Sequence, residues 1–258
     1  MGSATVRLRI DLAYDGSGFR GFARQPGQRT VQGVLEGALG RLLDSDVTTT
    51  GAGRTDAGVH ATAQTVHCDV PAGARLLVDL ARARRGLDAL CGRDLTVWRV
   101  RRVPDTFNAR FSATGRRYRY RICDAAAMDP LWRQDTWHLG TPTLDVAAME
   151  AGGRHLVGEH DFSAFCRRAG DQHLVRRITR LEVRRRRAGL VTLAVDGRAF
   201  CHQMVRSVTG CLVPVGQGLH PPAWVAQVLA GKDRQAIGRV APPHGLTLVG
   251  VAYSRPAG

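Results

Sequence analysis

The stretch from Gly51 to Ala61, G-A-G-R-T-D-A-G-V-H-A, sets one acid and one arginine among glycines and alanines. Small residues allow a tight backbone and close approach by a ligand. The stretch is therefore a candidate for close ligand approach, and the structural alternative is a turn in which Asp56 caps the backbone. A nucleoside hydrolase or glycosidase built on Asp56 needs a second carboxylate, and no evident candidate lies nearby in sequence. The nine histidines include no H-x-x-x-H or H-E-x-x-H, and the six cysteines no C-x-x-C, so neither residue type offers a zinc site by spacing. A P-loop and a dinucleotide-binding fingerprint are absent as well, and no motif asks for a metal or a cofactor.

Charge narrows the substrate. The 258 residues include 37 Lys or Arg and 22 Asp or Glu, a formal net charge of +15 at pH 7 with His neutral. Codon bias can trade lysine for arginine, and Lys232 is the only lysine, but such a trade adds no excess. The excess points to a polyanion, most often nucleic acid, and guanidinium groups suit it because they grip phosphate through two N–H bonds and stack on bases. Residues 110–121 hold five arginines and no acid, and residues 167–187 hold nine against Asp171 and Glu182. These are candidate phosphate tracks, with Arg110, Arg167 and Arg168 as named contacts. The run from Arg184 to Arg187 has a second reading, an exposed edge or hairpin that discourages aggregation. Hydrophobic residues make up 44% of the chain, enough for a packed core, and no stretch approaches 18 apolar residues. Arg7, Arg9 and Asp11 stand where a signal peptide needs an apolar core. No membrane is implied, and Cys68, Cys91, Cys123, Cys166, Cys201 and Cys211 read as buried thiols in a reducing cytoplasm.

The elements that must position Asp56 follow from periodicity. Apolar residues from Val6 to Leu12 alternate with Arg7, Arg9 and Asp11, the pattern of a strand with one wet face. Thr30 can cap a helix whose apolar stripe is Val31, Val34, Leu35, Ala38, Leu39, Leu42 and Leu43. The Asp56 stretch lies between that helix and a short strand over 65–70. A helix with Leu76, Leu80, Ala83, Leu87 and Leu90 inward and a strand over 95–103 complete a β-α-β-α-β unit with room for one more strand. The second half repeats the theme: a strand over 117–123 with Tyr118, Tyr120 and Ile122 on one face, a helix over 144–156, strands over 175–183 and 190–195, a helix over 202–213, a short helix after Pro222, and a last strand over 246–253. This order fits an α+β chain of two split β-α-β halves, 1–104 and 105–258, with the last strand (246–254) free to pack elsewhere. Sheets with helices on one side leave the other face, and the groove between the halves, open to a large polyanion.

Several further blocks accompany Gly53-Arg54-Thr55-Asp56-Ala57-Gly58-Val59-His60-Ala61. Tyr14-Asp15-Gly16, Gly21-Phe22, Gln25 and Thr30-Val31-Gln32 precede it. Phe107-Asn108-Ala109-Arg110-Phe111-Ser112-Ala113 with Arg117-Tyr118-Arg119-Tyr120 follows, and then His160-Asp161-Phe162-Ser163-Ala164-Phe165, Met204-Val205-Arg206 and Ala241-Pro242-Pro243-His244-Gly245-Leu246. In this order the blocks resemble the tRNA pseudouridine synthases of the TruA family. Ala23, Asn108 and Cys201 depart from it, standing where the family has Gln, His and Leu. The resemblance implies the pseudouridine synthase fold: two ferredoxin-like or RRM-like halves whose antiparallel sheets flank a central basic cleft. It also implies a cofactor-independent, cytoplasmic homodimer that isomerises uridines 38, 39 and 40 in the anticodon stem-loop of tRNA. By the same resemblance Asp56 is the nucleophile or base, and Arg54 flips the target base. Tyr118 stacks on the uracil and removes the C5 proton, Arg206 pairs with Asp56, and Leu246 lines the uracil pocket. The alternative without catalysis is an RNA-binding module of two RRM-like halves; Arg20-Gly21-Phe22-Ala23 approaches an RNP1 box, but Arg24 replaces its aromatic residue.

Overall fold

The computed structural model describes residues 4–140, 142–167 and 173–254; Arg168 lies outside these described residues. The chain divides into two units, one made of residues up to Thr114 with those from Leu248 onward, the other of Gly115–Thr247.

In the first unit β1 (Thr5–Tyr14) is followed by α1 (Val31–Leu43), the two-residue β2 (Thr50–Gly51), β3 (His60–Pro71), α2 (Leu80–Cys91) and β4 (Leu95–Arg102). β1 lies between β4 and β3, antiparallel to both, with Ile10 opposite Val66 on one side and Val100 on the other; β2 pairs with β3. This is the split β-α-β order, in which helices cover one face of the sheet. The pleat of β1 sends Leu8, Ile10 and Leu12 into the core, where Leu35 and Leu39 of α1 and Leu87 of α2 are also fully buried or nearly so. Each such side chain contributes roughly 1.5–3 kcal/mol of burial. Arg7, Arg9 and Asp11 take the opposite face. Leu90 corrects the expected inward stripe of α2: it is 37% exposed, and Cys91, the next residue around the helix, is buried instead.

The second unit holds β5 (Ala113–Cys123), the short β6 (Trp137–His138), α3 (Val146–Arg154), β7 (Gly158–Asp161), β8 (Val175–Arg185), β9 (Leu190–Gly197), α4 (Met204–Gly216) and α5 (Trp224–Gly231). Its antiparallel strands run in the order β5-β9-β8-β7, with Tyr118 opposite Val195 and Tyr120 opposite Leu193. β8 and β9 form a hairpin whose two central residues, Ala188 and Gly189, have φ of 53° and 70°, the signs a type I′ turn needs. The exposed Arg186 and Arg187 end at that turn. α4 runs through Pro214 to Gly216, three residues beyond the sequence expectation, because buried Val213 and Val215 continue its apolar surface. The last strand, β10 (Leu246–Tyr253), pairs with β3. Its Tyr253 hydroxyl donates to Ala109 O at 2.8 Å, and the Arg9 guanidinium lies 4.5 Å from the Tyr253 ring centre.

The cysteines bring a second correction. Cys166 and Cys201 form a disulfide, with their Cα atoms 5.7 Å apart, inside the range that the bond spans. Their segments are held side by side because Arg167 N donates to His202 O at 3.0 Å. A pair 35 residues apart in sequence leaves no spacing signal. Cys68, Cys91, Cys123 and Cys211 are free and buried, and burial pushes the Cys68 and Cys211 thiols up to about 12. Among the described residues no helix is long and apolar enough to cross a membrane.

Candidate active site

Asp56 opens a tight turn: Val59 N donates to its carbonyl at 3.1 Å, and Gly58 takes φ +78°, as the third residue of a type II turn must. The loop that carries it is fixed on both sides. Gln64, fully buried on β3, donates from Nε2 to Gly53 O at 2.8 Å, and Ala52 N donates to Thr65 O at 2.8 Å. The Thr55 hydroxyl lies 2.8 Å from the Tyr14 hydroxyl, and Thr55 O accepts from Phe22 N at 3.0 Å. His60 Nδ1 accepts from Gly16 N at 3.1 Å. Burial pushes the Tyr14 phenol up to about 12, so it stays neutral and keeps its proton for hydrogen bonding. Leaving any of these buried partners unsatisfied costs about 1–3 kcal/mol. Thr55 is buried, whereas Asp56 is half-buried and Arg54 exposed.

Behind the loop stands the end of α1. Its first-turn donors Val31 N and Gln32 N bond to Gly21 O and Phe22 O at 3.2 and 2.9 Å, and Thr30 Oγ1 accepts from Gly33 N at 3.2 Å. Helix starts leave such donors without intrahelical partners, and here the Gly21-Phe22 backbone takes them while also bonding to Thr55. Gly16 completes the mould, since a Cβ there would lie 2.1 Å from Val59 O. Tyr14, Gly16, Phe22 and Gln64 are positioning residues that sequence reasoning assigned no role.

The second unit gathers its own candidates. Tyr118 on β5 is 7% exposed and meets the Phe200 ring edge-on, centres 5.0 Å apart. Tyr120, two residues on, is fully buried and donates to Pro242 O at 2.7 Å. Arg206, in the first turn of α4, donates from Nε to Ala241 O at 2.8 Å while Ala241 N donates to Arg206 O at 3.2 Å. The segment Ala241–Leu246 is thus fastened to α4 and β5, and Leu246, 6% exposed, closes it. Asp161 serves this unit structurally. Its side chain accepts from Ser163 N at 3.0 Å and pairs with Lys232 at 2.8 Å, and the Lys232 hydrogen bond, with help from Ser163, lowers its carboxyl to about 2.

Of the proposed phosphate contacts, the Arg110 guanidinium lies 5.3 Å from the ring of Phe111, which is 76% exposed. Asn108 Oδ1 accepts from both backbone N–H groups, at 2.9 and 3.1 Å. Arg167 is exposed. Other arginines of the two stretches are committed within the fold: Arg121 to Asp135, Arg117 to Asp196 at 3.4 Å, and Arg185 to Asp124 at 2.8 Å and to Leu144 O at 2.6 Å. The tracks are narrower than the arginine count suggests.

Residues 12–112 and 153–254 match the family described as tRNA pseudouridine synthase. The chain belongs to that family. A tRNA pseudouridine synthase A of Frankia casuarinae is 49% identical over 255 residues, covering 98% of this chain and 91% of the relative. The enzyme of the same name from Streptomyces griseus is 45% identical, over 96% and 88% of the two chains. The archaeal box H/ACA sRNP Nop10–Cbf5 complex matches at 10% identity with a TM-score of 0.33, over 93% of this chain and 46% of that one; at that score it adds nothing to the assignment. As a tRNA pseudouridine synthase the protein is an isomerase acting on tRNA uridine, with an α+β fold. Arg54, Asp56 and Arg110 of this synthase fall in the first matched segment, Arg167, Arg206 and Leu246 in the second, and Tyr118 between them.

Proposed function

We propose that this synthase isomerises uridines 38, 39 and 40 of the anticodon stem-loop, with Asp56 as the reacting carboxylate. The observation that carries the reading is the loop itself: Gly53 and Thr55 are held by buried partners, while Arg54 is left exposed and Asp56 half-buried. The N1–C1′ bond breaks, the uracil turns, a C5–C1′ bond forms, and the C5 proton is lost as N1 gains one. Atoms and electrons balance without a cofactor. Asp56 either attacks C1′ or removes the C2′ proton to give a glycal. Swinging the base out of its stack costs a few kcal/mol, and Arg54 fills the space it leaves. Tyr118 stacks on the flipped uracil and takes the C5 proton, and Leu246 lines the pocket. A carboxylate in a closed pocket tends to hold its proton, and Arg206 opposes this by pairing with Asp56. The chain is organised as two halves, 1–104 and 105–258, and the protein works in the cytoplasm as a homodimer. Release of tritium from C5-labelled uridine in unmodified tRNA tests the reading; free uracil would identify a hydrolase, and tight binding with neither product a binding module.

Two outcomes follow for the arginines. Arg206→Lys keeps the charge but loses the planar fork and the Nε–H that serves Ala241 O. Single-turnover rates should fall roughly ten- to a hundredfold with little change in tRNA affinity, and an unchanged rate removes Arg206 from the site. Binding through phosphates makes log K fall linearly with log salt. Replacing Arg167 and Arg168 together by Gln should flatten that line by about one to two units; an unchanged slope in filter binding removes both from the phosphate contacts.

A further inference from the structure

Three arginines converge at the start of α4. Gln203, the residue before the helix, has φ +65° and does not cap it; its Oε1 instead accepts from Arg234 Nη2 at 2.7 Å. One residue earlier, His202 O accepts the backbone N–H of Arg167 at 3.0 Å, and Arg206 leaves the first turn of the same helix. Arg234 and Arg167 thus reach one end of α4 from two different segments. Arg234 Nη1 is buried and has no hydrogen-bond partner among the described residues. The acids nearest to it in sequence or attached to its neighbours are already engaged: Asp233 accepts from Gln235 N at 2.9 Å, and Asp161 pairs with Lys232. Burial, followed by the charges of Arg167 and Arg206, holds the Arg234 guanidinium below the usual arginine range.

Arg185, which holds the fold, looks different. It spreads its donors over both Asp124 oxygens and Leu144 O. A buried guanidinium N–H with no acceptor is costly, and the like charges of Arg167 and Arg206 act against the charge on Arg234. Both are relieved by an anion that offers oxygens to Nη1 and to Arg167 at once, which a phosphodiester does and a neutral base does not. We propose that Arg234 and Arg167, beside Arg206, hold one backbone phosphate of the tRNA anticodon stem-loop. This deepens the function proposed above and rests on it for the identity of the RNA.

The test is a binding cycle, so it does not depend on which residue performs the chemistry. Anticodon stem-loops in which single phosphates are replaced by uncharged methylphosphonates are bound to the wild-type chain, to Arg234→Gln and to Arg234→Lys, and each variant's melting temperature is recorded. One position should cost the wild type roughly tenfold in affinity and cost Arg234→Gln almost nothing, the size of a charge-assisted hydrogen bond. Arg234→Lys should retain part of the effect, so the cycle can be read even where Arg234→Gln fails to fold. Equal sensitivity of wild type and variants at every position overturns the proposal. Competition by millimolar inorganic phosphate at constant ionic strength, with no position coupled to Arg234, overturns it in favour of a site for the free ion. Coupling at one phosphate with no tritium release would leave this site standing and sink the catalytic reading alone.

Discussion

Asp56→Asn is expected to abolish turnover, lowering tritium release roughly 10⁴-fold or more, while the protein folds and binds tRNA within a few-fold of wild type. The substitution keeps the size of the side chain, and the turn it opens is closed by the Asp56 carbonyl, which accepts from Val59 N. The bonds to Gly53 O, Thr55 O and the Thr55 hydroxyl do not involve residue 56 at all. What disappears is the anionic oxygen, which both the attack on C1′ and the removal of the C2′ proton require. Single-turnover rates on saturating tRNA, read beside a melting curve, separate lost chemistry from lost structure. Activity within tenfold of the parent would take Asp56 out of the reaction under either route.

Why Asp56 stood out in the sequence while its support did not is a matter of range. Glycines around one acid, the Thr30 cap and the alternation of β1 are local signals, and each corresponds to an observed feature: the Gly58 turn, the Thr30 bond to Gly33, and buried Leu8, Ile10 and Leu12. The supports are distant pairs. Tyr14 meets Thr55 across 41 residues, and Gly16 meets His60 across 44; no window of periodicity spans such separations. The Cys166–Cys201 bond escaped notice for the same reason. Arginine counts misled in the opposite direction, because composition does not distinguish Arg185, locked on Asp124, from an arginine facing RNA. Leu90 shows the limit of a helical stripe, since a shift of one residue hands the inward place to Cys91.

Gly16→Ala should severely damage the seat of Asp56. A Cβ at this position would lie 2.1 Å from Val59 O and 2.5 Å from Val59 C, both backbone atoms, so no side-chain rotation can relieve the contact. Val59 closes the turn that Asp56 opens and directly precedes His60, which accepts from Gly16 N. The loop must therefore move as a whole by about an ångström, or β1 must part from it. Overpacking of this kind costs about 3 kcal/mol, which for a chain of this size lowers the melting temperature by roughly 5–10 °C. Displacing a reacting group by about 1 Å costs on the order of 10²-fold in rate. The expected signature is a single-turnover rate reduced more than a hundredfold at a temperature where the variant is still folded, with tRNA affinity less affected because the proposed phosphate contacts at Arg110 and Arg167 belong to other segments. A variant that melts lower but turns over at the parent's rate would show that Asp56 tolerates a looser seat, and that Tyr14, Phe22 and Gln64 hold the loop well enough without Gly16.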